Sequence, residues 1–327
     1  MGDAEAILRF REPMLLLFVI LFSALPFSSA FSVGFYTFSC PTAEFIVRDT
    51  VRSATSDDPT IPAKLLRLLF HDCFVDGCDA SVLLEGDGTE RVDPANASLG
   101  GFRVLDSAKR VLEMFCPGIV SCADVLALAA SHAVALTGGP EVRIATGRRD
   151  GRVSAASNVR PNIIDTSFTL DQMASLFISK GLSLDDLVVL SGAHTIGSAH
   201  CSSFSDRIQV DSKGKLTFNA PSLNHSYAAR LAKLCAAGAA ASVKNDPETS
   251  FLFDNQYYKN LMAHEGLFQS DSVLFDDQRT RTLVELFAND EGSFFDRWGE
   301  SFFKLSSIGV KTGDEGEIRH SCSSTND

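Results

Sequence analysis

Residues 66–73 include two side chains that could perform acid–base chemistry on a small bound molecule. Arg67 and His71 stand four residues apart, and a helix would place both on one face. A base that titrates near neutrality beside a permanent positive charge suits a reaction in which a proton moves while negative charge develops on a neighbouring atom. Cleavage of the O–O bond of a peroxide is such a reaction. The same spacing also occurs in surface pairs, so other parts of the chain must decide between the two interpretations.

A second histidine could serve a prosthetic group. His194 lies in residues 190–197, just after an apolar helical pattern and between small residues. A histidine in such surroundings can approach a flat prosthetic group closely. It can equally bond a backbone carbonyl at a helix end, and the motif by itself does not choose between these roles.

The elements that must position these side chains are mostly helical. Apolar residues recur at helical spacing, with Pro, Ser or Gly at several of the ends. These patterns predict helices over residues 61–70, 121–136, 170–180, 184–190, 255–262 and 280–289. Few segments look like strands, so the sequence predicts a mainly α fold.

The first 30 residues differ from the rest of the chain. An apolar run over residues 14–22 is followed by small residues that end at Ala30, which predicts a signal peptide over residues 1–30 and one globular domain over residues 31–327. A membrane anchor would need about 20 apolar residues, and Pro26 interrupts this run. We therefore expect no membrane association after cleavage. The net charge of −12 makes nucleic acid an improbable partner.

The chain has eight cysteines, and all of them follow the predicted signal peptide. An even number in an exported chain argues for four disulfides, although spacing does not choose among the many possible pairings. Cys73 and Cys78 would form a tight local clip. A zinc site is the competing interpretation, but it lacks a second close pair of Cys or His ligands.

Several motifs occur in one order along the chain and resemble those of the secretory plant haem peroxidases, the class III family. They occupy residues 67–81, 121–124, 147–150, 190–197 and 313–319. The resemblance extends from about Phe35 to Cys322. It implies a plant haem peroxidase fold, in which two helical lobes enclose one haem b, and a monomer that is secreted to the extracellular space or cell wall rather than the vacuole.

The resemblance also assigns roles on the two sides of that haem. His194 would be the axial ligand of the iron, and Asp271 would accept the proton of its second ring nitrogen, which makes the imidazole a stronger electron donor. On the opposite side, His71 would take a proton from hydrogen peroxide and return it to the departing oxygen, while Arg67 would stabilise the developing charge. Phe70 would pack beside the haem.

Substrates, metal ions and disulfides are implied in the same way. Small phenolic donors would meet the haem edge near Pro161. One calcium ion would be bound by the side chains of Asp72, Asp79 and Ser81 and the carbonyls of Val75 and Gly77, and a second by Thr195, Asp246, Thr249, Asp254 and the carbonyl of Leu252. The disulfides would be Cys40–Cys116, Cys73–Cys78, Cys122–Cys322 and Cys201–Cys235. A further pair, Asp124 and Arg148, would form a buried ion pair with a structural role.

One loop departs from the family pattern. The family orients its distal histidine with an asparagine that is hydrogen-bonded to a glutamate, retained here as Glu90, but Ala95 stands at the place of the asparagine and Asn96 one residue later. Either the loop shifts so that Asn96 fills the role, or His71 loses part of its orientation. Asn96 also begins a glycosylation sequon, as does Asn224, and a glycan on Asn96 could not coexist with a buried role. Asn224 is therefore the expected glycosylation site.

Together these features predict a secreted haem peroxidase that uses hydrogen peroxide to oxidise phenolic or similar small donors by one-electron steps. Such a reaction would serve cell-wall phenolic chemistry, peroxide removal or the response to oxidative stress. The alternative is an exported, calcium-stabilised haem or wall-binding protein with weak peroxidase activity. Arg67, His71, His194 and Asp271 occur together, which favours the enzyme. An intracellular ascorbate-type peroxidase is opposed by the signal peptide and the eight cysteines.

Overall fold

The computed structural model of the chain describes residues 30–210, 212, 216–218, 220 and 222–326. Apart from Ala30, the predicted signal peptide lies outside the described residues. The α-helices are α1 (Ala43–Asp57), α2 (Ile61–Val75), α3 (Phe102–Phe115), α4 (Cys122–Leu136), α5 (Leu170–Ser179), α6 (Leu184–Ser191), α7 (His225–Cys235), α8 (Gln256–Met262), α9 (Gln269–Asp276), α10 (Gln278–Asn289) and α11 (Glu291–Leu305). Short antiparallel strands pair β1 (Ser198–His200) with β4 (Ser242–Lys244), and β2 (Ile208–Val210) with β3 (Leu216–Phe218).

The mainly α fold is confirmed, and each predicted helix has a counterpart in the structure. The largest difference is at α2, which continues to Val75, five residues beyond its predicted end. The polar pair His71 and Asp72 interrupts the apolar pattern there, but both side chains are buried. The helix therefore continues through buried polar residues, which a pattern of apolar positions cannot detect.

The central helix α4 provides the surface on which α2 is fixed. Its first turn is capped by Ser121, whose side chain accepts a hydrogen bond from the backbone N–H of Asp124 at 3.1 Å. Nearly every residue of α4 is buried, and many are alanines that let neighbouring helices approach closely. Because α1, α2 and α3 all pack against it, α2 is held from one side while Arg67 remains exposed on another.

A buried ion pair connects α4 to distant parts of the chain. Arg148 Nη1 lies 2.7 Å from Asp124 Oδ1, and both side chains are fully buried. Tyr36 donates its hydroxyl proton to the other carboxylate oxygen at 2.6 Å, and Arg148 also donates to the carbonyl of Ser306 through Nε at 3.1 Å. These hydrogen bonds offset the cost of burying two charges.

The structure contains four disulfides, in the pairings that the resemblance implied: Cys40–Cys116, Cys73–Cys78, Cys122–Cys322 and Cys201–Cys235. The Cys73–Cys78 clip closes the loop after α2 and contains Gly77, which has a φ of 95°. A Cβ atom at Gly77 would lie 2.6 Å from the carbonyl oxygen of Gly309. The loop therefore needs glycine for both its backbone conformation and its close approach to a neighbouring segment.

A second, smaller core surrounds the Cys201–Cys235 disulfide. It contains Phe204, Tyr227 and Leu231 and lies between α7 and the short strands. No helix in the described ranges is long and apolar enough to cross a membrane.

Candidate active site

Arg67, His71 and Asn96 form one hydrogen-bonded group at the side of α2. His71 Nδ1 lies 2.7 Å from Asn96 Oδ1, and Asn96 Nδ2 donates to the backbone carbonyl of Glu90 at 2.8 Å. At the other ring nitrogen, Arg67 Nε donates to His71 Nε2 at 3.3 Å. The imidazole is therefore held at both nitrogens.

This arrangement determines where the histidine carries its proton. Because the Asn96 amide nitrogen donates to Glu90, the atom that faces His71 is the amide oxygen, which can only accept a hydrogen bond. His71 Nδ1 must then carry the proton, and Nε2 keeps its lone pair. Nε2 is therefore the basic nitrogen, and it can accept a proton from a bound substrate once Arg67 releases its hydrogen bond to that atom.

The environment of His71 keeps it neutral. Burial and then the positive charge of Arg67 lower its pKa, the hydrogen bond to Asn96 partly opposes the shift, and the resulting pKa of His71 is about 3. A neutral imidazole at physiological pH is the protonation state that a general base needs.

The loop before α3 shows whether Asn96 faces His71, a question that the sequence left open. Asp93 accepts a hydrogen bond from the backbone N–H of Ala95 at 2.7 Å, and this tight turn brings Asn96, rather than Ala95, against His71. Asn96 is 4% exposed. The structure thus corresponds to the shifted loop, in which Asn96 faces the histidine and reaches Glu90 through the backbone carbonyl of that residue.

Ser98 is a contact of Arg67 that the sequence alone did not predict. Its hydroxyl accepts a hydrogen bond from Arg67 Nη1 at 2.8 Å, while the carbonyl of Ala95 accepts one from Arg67 Nη2 at 3.1 Å. The same short loop therefore orients both the histidine and the guanidinium. Ser98 is the third residue of the Asn96 sequon, and no spacing rule connects it to Arg67.

The second histidine of interest, His194, lies in the 3₁₀ turn Gly192–Thr195 that follows α6. Its Nδ1 is 2.9 Å from Asp271 Oδ1, and the other carboxylate oxygen accepts the backbone N–H of Phe268 at 3.0 Å. Although burial alone would raise it, the pKa of Asp271 is lowered by the charge of His194 and by its hydrogen bonds. With Nδ1 engaged by an ionised carboxylate, Nε2 is the nitrogen that remains for a metal.

Tyr257 is a second partner of that carboxylate which the sequence analysis did not identify. Its hydroxyl donates to Asp271 Oδ1 at 2.9 Å, the same oxygen that faces His194. Burial, followed by the charge of Asp271, raises the pKa of the Tyr257 phenol well above 10, so the phenol remains a proton donor.

The segment after His194 approaches the helix that carries Arg67 and His71. A Cβ atom placed on Gly197 would lie 3.1 Å from the Cβ of Ala63, in the first turn of α2. The His194 side chain is 39% exposed, which leaves its free nitrogen accessible. A half-exposed imidazole, fixed through Nδ1 and close in the fold to α2, fits the axial ligand of a haem.

The first candidate calcium site lies in the loop that follows α2. The side chains of Asp72, Asp79 and Ser81 are all buried there, and Ser81 Oγ has no hydrogen-bond partner among the described residues. Burial, and then the neighbouring Asp79 carboxylate, raises the pKa of Asp72 well above its usual value. Lys311 Nζ contacts Asp79 Oδ2 and supplies positive charge at the edge of this group. Buried acidic oxygens beside an unpartnered hydroxyl suit a hard cation.

This site cannot be built from carboxylates alone. Within the described part of the chain, no three His, Cys, Asp or Glu side chains are grouped as metal ligands. The resemblance accordingly implies hydroxyl and carbonyl oxygens as ligands in addition to the two aspartates. The carbonyls that the resemblance adds belong to Val75, the last residue of α2, and to Gly77 in the disulfide clip.

The second predicted calcium set appears as two hydrogen-bonded pairs. Thr195 Oγ1 donates to Asp254 Oδ1 at 2.8 Å, and Thr249 Oγ1 donates to Asp246 Oδ2 at 2.5 Å. The side chain of Leu252 is 47% exposed, as suits a residue that would contribute only its carbonyl. Because Thr195 follows His194 directly, the first pair fixes the end of the turn that carries the histidine.

The two remaining site residues lie in different surroundings. The Phe70 ring is half-buried, with its centroid 5.7 Å from that of His71 and 4.3 Å from that of Phe74. Pro161 is exposed in the loop before α5. Phe70 therefore borders His71, whereas Pro161 lies on the surface.

Comparison with known proteins agrees with this geometry. A family model described as peroxidase matches residues 47–290. Peroxidase 18 of Arabidopsis thaliana is 62% identical over 95% of this chain and 95% of its own, and Peroxidase 46 of the same plant is 62% identical over 96% of this chain and 97% of its own. Peroxidase 62 is 46% identical over 90% of this chain and 92% of its own. With the candidate site in place, these matches show that the chain belongs to the peroxidase family, among the class III peroxidases of plants.

Proposed function

We propose that this plant peroxidase binds one haem b through His194 and cleaves hydrogen peroxide with His71 and Arg67. The observation that carries the proposal is the continuous set of hydrogen bonds from Glu90 through Asn96 and His71 to Arg67. It presents a neutral imidazole nitrogen next to a fixed positive charge. Bound haem would take two oxidising equivalents from hydrogen peroxide and pass them to donors one at a time.

The residues around His71 would move one proton between the two oxygens of the peroxide. Nε2 accepts a proton from one oxygen and returns it to the other, which leaves as water. Asn96 keeps the proton on Nδ1 during this transfer, and the guanidinium of Arg67 stabilises negative charge on the departing oxygen. Ser98 holds that guanidinium through Nη1.

On the opposite side, Asp271 would strengthen His194 as an electron donor. An ionised carboxylate that accepts the Nδ1 proton gives the imidazole partial anionic character. This favours the oxidised states that the reaction passes through. The short turn that carries His194 is stabilised by the Thr195–Asp254 hydrogen bond.

Two calcium ions would stabilise the protein. The first would be bound by Asp72, Asp79 and Ser81 with two carbonyls, and the unpartnered Ser81 hydroxyl supports this assignment. The second ion would bind the side-chain oxygens of the two hydrogen-bonded pairs, Thr195–Asp254 and Thr249–Asp246. Those oxygens would then contact the ion in place of each other. Hard oxygen donors of this kind prefer calcium to zinc.

The donor substrates and the location are proposed on the same basis. We expect phenols and similar small molecules to react at the haem edge near Pro161, and a monomer that is secreted to the extracellular space or cell wall. The four disulfides suit an oxidising compartment. A haem or wall-binding protein with weak catalysis is not favoured, because the high-identity relatives are named peroxidases.

The proposal is tested by absorbance spectroscopy and by an assay with a phenolic donor. Purified protein should show a Soret band and oxidise the phenol only after hydrogen peroxide is added. His194→Ala should lose stable haem and activity, whereas His225→Ala, at an exposed histidine of α7, should retain both. An unchanged Soret band and unchanged activity in His194→Ala would show that another residue holds the haem.

A further inference from the structure

Tyr257 makes a contact that the proposed reaction does not yet use. It is the second residue of α8, is 4% exposed, and donates its hydroxyl proton to Asp271 Oδ1 at 2.9 Å. The same oxygen lies 2.9 Å from His194 Nδ1. One carboxylate oxygen therefore accepts from two donors, while the other accepts only the backbone N–H of Phe268.

Two donors on one oxygen compete for the same electron density. A hydrogen bond from the tyrosine reduces the basicity of Oδ1 and so weakens its attraction for the proton of His194. Removal of the tyrosine hydroxyl would leave His194 as the sole side-chain donor to that oxygen. The imidazole would then become more anionic and a stronger electron donor.

We propose that Tyr257 is a positioning residue that limits how strongly His194 donates electrons to the haem iron, through the shared oxygen of Asp271. This inference rests on the proposed ligation of the iron by His194. The inference concerns how strongly His194 donates electrons, not whether His194 binds the iron. An experiment can therefore contradict the role of Tyr257 without contradicting the ligation, and the reverse.

The neighbouring residue offers a matched control. Tyr258 is also fully buried, and its hydroxyl donates to the backbone carbonyls of Val188 and Val189 at 3.0 and 3.2 Å. Its ring centroid is 5.1 Å from that of Tyr257. The two Tyr→Phe variants remove the same hydroxyl from the same core, but only one of them changes the surroundings of Asp271.

The experiment compares haem-loaded wild type, Tyr257→Phe and Tyr258→Phe by resonance Raman spectroscopy of the ferrous protein and by redox titration. Tyr257→Phe should raise the iron–histidine stretching frequency and lower the ferric–ferrous potential. Because one hydrogen bond is altered, the ratio of ferric to ferrous protein at a fixed potential should rise by up to about tenfold, which is 59 mV for a one-electron couple. Tyr258→Phe should change neither quantity.

The possible failures are distinct. A wild-type spectrum without an iron–histidine band would contradict the proposed ligation. If the iron–histidine band is normal in the wild type and neither this band nor the ferric–ferrous potential shifts in Tyr257→Phe, the role of Tyr257 is overturned. This holds even if the variant is less stable. If Tyr257→Phe does not fold, 3-fluorotyrosine at position 257 keeps the shape of the ring and strengthens the donor. It should shift the potential upward, and no shift would equally overturn the inference.

Discussion

Asn96 determines which ring nitrogen carries the proton in the histidine that would act on peroxide. Its amide oxygen accepts from His71 Nδ1, and its amide nitrogen is fixed by the carbonyl of Glu90. The side chain therefore cannot rotate its donor toward the imidazole without losing a buried hydrogen bond. Two consequences can be measured, one on the rate and one on its pH dependence.

Asn96→Ala should slow the reaction with hydrogen peroxide by about tenfold, because loss of one hydrogen bond of about 1.4 kcal/mol leaves His71 less well oriented. Ala95→Asn should give no acceleration, since the Ala95 backbone contacts Arg67 while Asn96 already faces the histidine. Stopped-flow absorbance of the haem band measures both rates. A faster Ala95→Asn enzyme, or an Asn96→Ala enzyme with the wild-type rate, would contradict the role assigned to Asn96.

The rate of the peroxide reaction should be constant above about pH 5 and fall only as the pH approaches the pKa of His71, about 3. The unprotonated imidazole is the active form, so activity is present above the pKa and lost below it. Asn96→Ala should move this decline to lower pH, because the hydrogen bond that Asn96 accepts from His71 raises the pKa of His71. Rapid pH-jump mixing measures the rate before acid unfolding. A decline centred near pH 6.5 would show that His71 is not held in the low-pKa environment described above.

At the residue scale, the family resemblance singled out Arg67, His71, His194 and Asp271, and the structure brings them together as two hydrogen-bonded pairs, although their catalytic roles stay predictions. The sequence could not choose between Ala95 and Asn96, because the answer depends on the turn stabilised by Asp93. Ser98 and Tyr257 were not predictable either. The Ser98 hydroxyl contacts Arg67, 31 residues away, and the Tyr257 hydroxyl contacts Asp271, 14 residues away. No local sequence pattern predicts such tertiary contacts, so only the folded chain identifies them.

Among the structural elements, α2 and the clipped loop after it carry both the catalytic pair and the first candidate calcium site. The loop turns back at Gly77, where the backbone approaches Gly309. Helix α4 packs against α2. The ion pair between Asp124 and Arg148 connects α4 in turn to a distant segment of the chain. The rigidity of the site thus depends on one close backbone contact and one buried pair of charges.

Gly77→Ala should destabilise the protein by more than 1 kcal/mol, since its Cβ would lie 2.6 Å from a backbone carbonyl in addition to the strain of a positive φ. Gly88→Ala is the matched control, because Gly88 also has a positive φ, 77°, but no atom lies within 4 Å of its added Cβ. Urea unfolding of the holoenzyme compares the two. Equal losses of stability would show that the contact with Gly309 contributes nothing.

Arg148→Ala should lower the free energy of unfolding by about 3–5 kcal/mol, because it leaves the carboxylate of Asp124 buried without its charged partner. Arg52→Ala removes an arginine from an exposed pair with Asp49 and should cost less than about 1 kcal/mol. The same unfolding measurement applies to both variants. Similar losses of unfolding free energy in Arg148→Ala and Arg52→Ala would mean that the buried ion pair does not stabilise the contacts of α4.

The helices themselves were largely predictable, whereas the extent of α2 was not. Its continuation from Phe70 to Val75 depends on the burial of His71 and Asp72, which the fold provides and local hydrophobicity does not indicate. The four disulfide pairings followed from the family resemblance rather than from the spacing of the cysteines. Their partners are up to 200 residues apart along the chain.

At the scale of the whole molecule, disulfides and the proposed calcium ions act on the same regions. The Cys73–Cys78 clip lies between Asp72 and Asp79, and the second ion would bind beside the turn that carries His194. Ions that bind only the folded protein stabilise it by mass action. Their loss should therefore affect both stability and the haem environment.

Removal of calcium with a chelator should lower the melting temperature and alter the haem absorbance of the native enzyme. At an ion concentration of 100 times its Kd, each site contributes about 2.7 kcal/mol. Ser81→Ala should weaken this calcium-dependent stabilisation, because it removes a buried hydroxyl that has no protein partner in the described chain. Differential scanning calorimetry with and without added calcium measures the effect. Native, active protein that contains no calcium by metal analysis would refute both sites.

The central claim is that His71, kept neutral by burial and by the charge of Arg67 and oriented by Asn96, is the base that cleaves hydrogen peroxide. The most direct test is the second-order rate constant for the reaction of haem-loaded wild type and His71→Ala with hydrogen peroxide, measured by stopped-flow absorbance at equal haem content. The variant should keep its haem and react at least about 100-fold more slowly, as expected on loss of a positioned general base. A His71→Ala enzyme that binds haem normally and reacts at the wild-type rate would contradict the account.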